Sequence, residues 1–128
     1  MRLLLDTQAF LWSGSAPERL SPRARRAIEA GRNEVFRSAA SVWEIAIKTQ
    51  IGRLRLARDV ETFTRERMAE SSLVALPVLL PHAIKVASLP DVHRDPFDRL
   101  LVAQAIVEDL HLVTADRRLR DYPVKVVW

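Results

Sequence analysis

The sequence predicts an α/β fold, a mostly parallel sheet with helices on both of its faces. Short apolar runs of strand length alternate with capped, helix-length segments along almost the whole chain. Two acids, Asp6 and Asp116, also stand directly behind such runs, where the carboxyl ends of parallel strands open onto a crevice. At 128 residues the chain is long enough to bury one core unaided, and no linker, repeat or low-complexity tract divides it. Residues 1–128 are therefore expected to form a single domain.

Taken in order, residues 2–5 read as a short buried strand and 7–12 as a helical turn, with Asp6 at their junction. Ser21 as N-cap, Pro22 at the first helical position and Gly31 as terminator bracket a helix over 23–30. Residues 34–37 are a second strand. The most apolar helix covers 39–51 and ends at Gly52; beyond the Leu54-Arg55-Leu56 bend, a helix over 60–69 is expected to pair with it. A third strand, 73–76, stops at Pro77, a short helix covers 81–88, and Leu89-Pro90 opens a loop. Asp95-Pro96 starts a helix over 96–109. Residues 111–114 are a fourth strand, 117–119 a single turn, and 124–127 a last strand behind Pro123.

Composition narrows the chemistry. Hydrophobic residues at 48% and charged residues at 28% describe a globular chain, and no apolar run approaches the roughly 20 residues of a spanning helix. The apolar stretch at the N-terminus meets Asp6 too soon for a signal peptide, so a cytoplasmic protein with no membrane partner is expected. The absence of cysteine removes disulfides, thiolate zinc sites and cysteine nucleophiles together, leaving oxygen and imidazole as metal ligands. The net charge of +4 comes mostly from arginine, since Lys48, Lys85 and Lys125 are the only lysines. Arginine forks suit phosphate and stack on bases, which fits a nucleic-acid substrate, although solvated helix faces explain the same charge. No phosphate-cradling glycine loop and no Gly-x-Ser-x-Gly elbow is present, which argues against a P-loop enzyme or a serine hydrolase.

Four acids remain to be explained. Asp6 at a buried strand end must be hydrogen-bonded, metal-bound or neutralised, yet it could also simply cap the next helix. Glu44 has capping-box spacing from Ser41 and could pair with Lys48. If the helix begins earlier, near Ser38-Ala39-Ala40, Glu44 instead lies embedded among Val42, Trp43, Ile45, Ala46 and Ile47 and needs a partner. Asp95 is the natural cap of the helix behind Pro96, which frees Asp98 to head a stripe with Leu101, Val102 and Ala105 facing the sheet. Asp116 could initiate a turn. Together, two strand-end and two helix-start carboxylates converging on one crevice would repel unless a cation intervened, and oxygen ligation selects magnesium or manganese. His82, His93 and His111 have no metal-ligand spacing and read as surface or loop positions. Trp12, Trp43 and Trp128 read as core or interface aromatics.

Four blocks then stand in a telling order: Leu4-Leu5-Asp6-Thr7, Ser41-Val42-Trp43-Glu44-Ile45-Ala46-Ile47-Lys48, Asp95-Pro96-Phe97-Asp98-Arg99-Leu100-Leu101-Val102-Ala103-Gln104-Ala105, and Leu112-Val113-Thr114-Ala115-Asp116-Arg117. Through them, nearly end to end, the chain resembles PIN-domain proteins, and in particular the VapC-type ribonuclease toxins of bacterial type II toxin–antitoxin pairs. The resemblance implies a three-layer α/β/α sandwich with a central mostly parallel sheet. It implies that Asp6, Glu44, Asp98 and Asp116 hold Mg2+ or Mn2+ and are the catalytic residues of RNA hydrolysis. Thr114 would support the metal site, and Asp95 would act as a cap or supporting residue. Arg99, Arg117 and Arg118 are the candidates for binding the RNA backbone. A small cognate antitoxin and a homodimer are the partners the resemblance implies. One departure is Gln8, where many relatives of this subgroup carry His, and it touches local support rather than the quartet.

Two rival functions are weighed against this reading. A phosphotransfer enzyme on a similar sheet is disfavoured because Asp6-Thr7-Gln8 lacks a second acid two positions on, and the strand over 73–76 ends in Pro77 rather than a phosphorylatable Asp. A non-catalytic RNA- or partner-binding module keeps the acids as structural groups, and an RNA cleavage assay separates it from the enzyme.

Overall fold

The computed structural model describes residues 1–70 and 72–128. Five strands form one sheet: β1 (Arg2–Leu5), β2 (Glu34–Ser38), β3 (Val74–Leu76), β4 (His111–Val113) and β5 (Val126–Val127). Their spatial order is β3-β2-β1-β4-β5, and every neighbouring pair is parallel. The helices are α1 (Thr7–Ser15), α2 (Pro22–Glu29), α3 (Ala39–Gln50), α4 (Val60–Glu70), α5 (Leu80–Val86) and α6 (Pro96–Glu108), with 3₁₀ turns at Pro17–Arg19 and Arg117–Asp121.

The run Leu3-Leu4-Leu5 does not alternate with polar residues because β1 is central and has two buried faces. Leu4 packs with Leu101, Val102 and Ala105 of α6 on one face, while Leu3 and Leu5 pack with Phe10 of α1 and Ala24 of α2 on the other. Each fully buried leucine contributes about 2 kcal/mol of transfer free energy. The helix α3 lies at the rim and feeds both layers, Ala40 on one side and Ile45 on the other. The expected three-layer sandwich is therefore observed, and its sheet is wholly parallel. None of the described helices is long and apolar enough to cross a membrane.

The topology also places the site. From β1 the chain moves outward through β2 and β3, then returns to the other side of β1 with β4 and β5. The strand order thus reverses between β1 and β4, and a crevice opens beyond their carboxyl ends. Asp6 follows β1 there, and Asp116 follows β4.

Several element boundaries shift by a few residues from the sequence reading, and the start of α3 is decided between the two caps that reading left open. The helix α1 runs a turn further, to Ser15, through Gly14. The strand β5 is reduced to Val126–Val127 because Val124 N donates to Tyr122 O at 2.7 Å in a tight turn behind Tyr122. The N-cap of α3 is Ser38, whose hydroxyl accepts from Ala40 N, so Ser41 and Glu44 lie inside the helix and do not form a capping box.

Gly14 is required by packing. A Cβ built there would sit 2.2 Å from Nε of Arg67, a buried side chain whose guanidinium donates to Ser13 Oγ and Glu70. Alanine in a helix interior is ordinarily worth about 1 kcal/mol over glycine. Here overpacking of about 1–3 kcal/mol opposes that gain. Gly14→Ala is expected to lower stability in urea unfolding, and a higher midpoint would show that Arg67 moves aside freely.

Candidate active site

A crevice of about 430 Å³ opens at the reversal point, lined by Asp6, Thr7, Gln8, Glu44, Lys48, Arg53, Asp95, Asp98 and Asp116 among others. The four acids singled out from the sequence thus share one cavity. Each is delivered by a local feature of the chain. Asp6 is the N-cap of α1, with Oδ1 accepting from Ala9 N at 2.7 Å, so its capping and site roles coexist. Glu44 projects from the second turn of α3. Asp95 caps α6 by accepting from Phe97 N and Asp98 N, which leaves the Asp98 side chain free to face the crevice. Asp116 caps the 3₁₀ turn that follows β4.

The carboxylates differ sharply in environment. Asp6 is buried and has no Lys or Arg partner among the described residues. Burial pushes its carboxyl up to about 6, opposed by hydrogen bonds from the Thr114 hydroxyl and Ala9 N and reinforced by the charges of Asp98 and Glu44. Asp98 is likewise pushed up to about 6 by burial and by Asp95, with His93 acting in the opposite direction. Glu44 is buried but partnered: Thr7 Oγ1 donates to its Oε1 at 2.6 Å, and Lys48 Nζ contacts its Oε2. Asp116 is held by a fork from Arg118, Nε to Oδ1 at 3.1 Å and a terminal nitrogen to Oδ2 at 2.8 Å. Those hydrogen bonds lower its pKa.

Two desolvated acids, Asp6 with no basic side chain among the described residues and Asp98 with only His93, beside the partnered Glu44 and Asp116, make a donor set suited to a divalent cation. Its hard oxygens match magnesium or manganese. Thr114 is buried behind the pair, serving both Asp6 and the backbone N of Asp116, whose distance to Thr114 Oγ1 is 3.1 Å.

The profile of the family described as PIN domain matches residues 3–125. The chain belongs to the PIN-domain family. Among curated PIN-domain relatives, it is 36% identical to Ribonuclease VapC22 of Mycobacterium tuberculosis, covering 94% of this chain and 91% of the relative. Solved structures share the fold at lower identity. VapBC2 from Rickettsia felis bound to a DNA fragment from its promoter matches with a TM-score of 0.73 at 14% identity, over 98% of this chain and 97% of that one. FitAcB from Neisseria gonorrhoeae matches at 0.62 and 22% identity, over 97% and 95%. DNA-bound VapBC from Salmonella typhimurium matches at 0.66 and 17% identity, over 98% and 96%.

Within this PIN domain the three arginines picked as RNA contacts have different surroundings. Arg118 is exposed but committed to Asp116, and Arg117 is exposed on the 3₁₀ turn. Arg99 turns away from the crevice. Its guanidinium donates to Val86 O, Pro90 O and Tyr122 Oη, and lies 3.4 Å from His93 O, so it clamps the loop ahead of α6.

The sequence reading missed His93. From the sequence it reads as a loop or surface position, and in the fold its loop brings Nε2 to 3.0 Å from Asp98 Oδ2 and 3.9 Å from Asp116 Oδ2. Ligand spacing along a helix could not reveal this, because His93 belongs to the loop before Asp95. The available signal was its position two residues ahead of that cap and five ahead of Asp98. Lys48 and Arg53 also line the cavity, so cations face the acids from the α3 side.

Proposed function

We propose that residues 1–128 form one PIN domain that acts as a metal-dependent endoribonuclease, the toxin of a type II toxin–antitoxin pair. Convergence of Asp6, Glu44, Asp98 and Asp116 in one crevice, with Asp6 lacking any basic partner, is the observation that carries this reading. The name of the 36%-identical relative, a ribonuclease, supports the substrate class. Asp6 and Asp98 would hold Mg2+ or Mn2+ directly, with Glu44 and Asp116 completing the site. When bound, the cation supplies an activated water and neutralises charge developing on the scissile phosphate.

The side chains divide the remaining work. Glu44, oriented by Thr7 and Lys48, would help take a proton from the attacking water. Thr114 fixes the Asp6 carboxylate. Lys48 and Arg53 line the cavity, and the exposed Arg117 and Arg118 follow Asp116 on the 3₁₀ turn, so these four would bind the phosphates of the RNA backbone. A cognate antitoxin, a homodimer and a cytoplasmic location complete the proposal; the VapBC and FitAcB neighbours are its structural context.

The test is an RNA cleavage assay with the purified chain in magnesium or manganese, repeated with excess chelator. Cleavage that depends on the cation and returns when it is restored is the expected result. RNA binding without cleavage under all these conditions would favour the non-catalytic module instead.

A further inference from the structure

We propose that His93 supplies a nitrogen ligand to the cation of the acidic crevice and tilts the site toward manganese over magnesium. This rests on the reading of that crevice as a metal site and goes beyond its four carboxylates. One nitrogen of His93 and one oxygen each of Asp98 and Asp116 all lie within 4.8 Å of one another, a spread that an ion seated among them can span with small side-chain movements. The ring is only 11% exposed, so its nitrogen faces the acids rather than bulk water.

The placement of His93 is imposed by its surroundings. His93 N donates to Tyr122 Oη at 3.0 Å, and that hydroxyl returns a hydrogen bond to His93 O at 3.3 Å. Tyr122 is itself buried, and Arg99 ties Val86 O, Pro90 O and Tyr122 Oη into the same knot. A loop fastened at four backbone carbonyls or amides around one residue holds its imidazole at a fixed point. Rigid support of this kind is what a ligand position requires.

The chemical consequence follows from ligand preference. Magnesium takes oxygen and parts reluctantly with its waters, so an imidazole adds little to its binding. Manganese shares the preference for carboxylate oxygen but stands at the start of the transition-metal series, whose members also bind imidazole, so one added nitrogen raises its affinity more than that of magnesium. A histidine that only orients Asp98 through a hydrogen bond would instead affect both cations alike.

Pulsed electron paramagnetic resonance on the folded protein loaded with Mn2+ reads the nitrogen directly. A directly bound 14N coupling is expected in the parent protein and should vanish in His93→Gln, whose amide still donates a hydrogen bond to Asp98. In the same variant the Kd for Mn2+ should rise about tenfold or more, while that for Mg2+ changes by less than about twofold. Thermal melts of the metal-free variants verify folding, and Asp98→Asn serves as the control for the crevice itself. Absence of the 14N coupling, or equal weakening of both cations in His93→Gln, overturns the role of His93 while leaving the carboxylate site standing. If Asp98→Asn binds Mn2+ as tightly as the parent, the crevice reading fails first, whatever His93 does.

Discussion

Asp6→Asn should abolish cation-dependent RNA cleavage and, at the same time, make the metal-free protein more stable. The loss of activity follows from removing a charged ligand. Electrostatic stabilisation by a metal is worth several kcal/mol in the transition state, and at 1.36 kcal/mol per decade its loss lowers the rate by about 10³-fold or more. The gain in stability follows from burial. Keeping the Asp6 carboxyl charged at neutral pH, when its pKa is about 6, costs the metal-free fold roughly 3 kcal/mol relative to the unfolded chain. Asparagine removes that cost and retains the cap, because its side-chain oxygen can still accept from Ala9 N. Single-turnover cleavage with Mg2+, paired with urea unfolding in chelator at pH 7.5, measures both effects. Full cleavage by the variant would remove Asp6 from the chemistry, and an earlier unfolding midpoint would show that its carboxylate is not destabilising.

The second large effect is a pH-dependent response to metal. Asp6 and Asp98 each have a folded pKa raised to about 6, above the unfolded carboxylate value, so the native state holds more protons than the unfolded state between about pH 4 and 6. Their contribution to stability is therefore fully present below the unfolded pKa and is lost as pH rises through about 6. The loss approaches 3 kcal/mol for Asp6, and Asp98, more open to solvent, adds less. Asp116, held low by Arg118, acts in the opposite sense: its contribution is present above the unfolded pKa and is lost as pH falls through its depressed folded value. On the proposed reading, a divalent cation would bind the ionised pair in the folded state only and restore what ionisation removed, by RT ln(1 + [L]/Kd). Millimolar Mg2+ or Mn2+ should thus raise Tm by several degrees at pH 7.5 and by little at pH 5. An equal shift at both values, or none at pH 7.5, would contradict a site built on these two acids.

Much of this was legible from local sequence. A carboxylate behind an unbroken apolar strand, Asp95-Pro96 ahead of an apolar stripe, and a Ser-Val-Trp-Glu segment inside an apolar helix each have a capping explanation alone, and it is their combination in one chain that points to a site. Caps are local, read from three or four consecutive residues, and so Asp6, Asp95 and Asp116 cap where expected. Ambiguity remained where two local signals overlapped: Ser41 and Ser38 both suit an N-cap, and only packing of Ala40 against the core selects Ser38.

The sequence alone determined the alternation of strands and helices, the PIN-domain resemblance and the choice of four acids that the fold brings to one cavity, because strand period, helix caps and motif order are all short-range properties. Tertiary structure alone decided how those acids are tuned and who joins them. It placed Arg118 on Asp116, turned Arg99 inward onto a loop, left Asp6 without a basic partner, and brought His93 back over the crevice. Such pairings depend on chain segments meeting across the end of a sheet, where a few ångströms set the desolvation and the Coulomb energy, and no spacing along the chain encodes that distance.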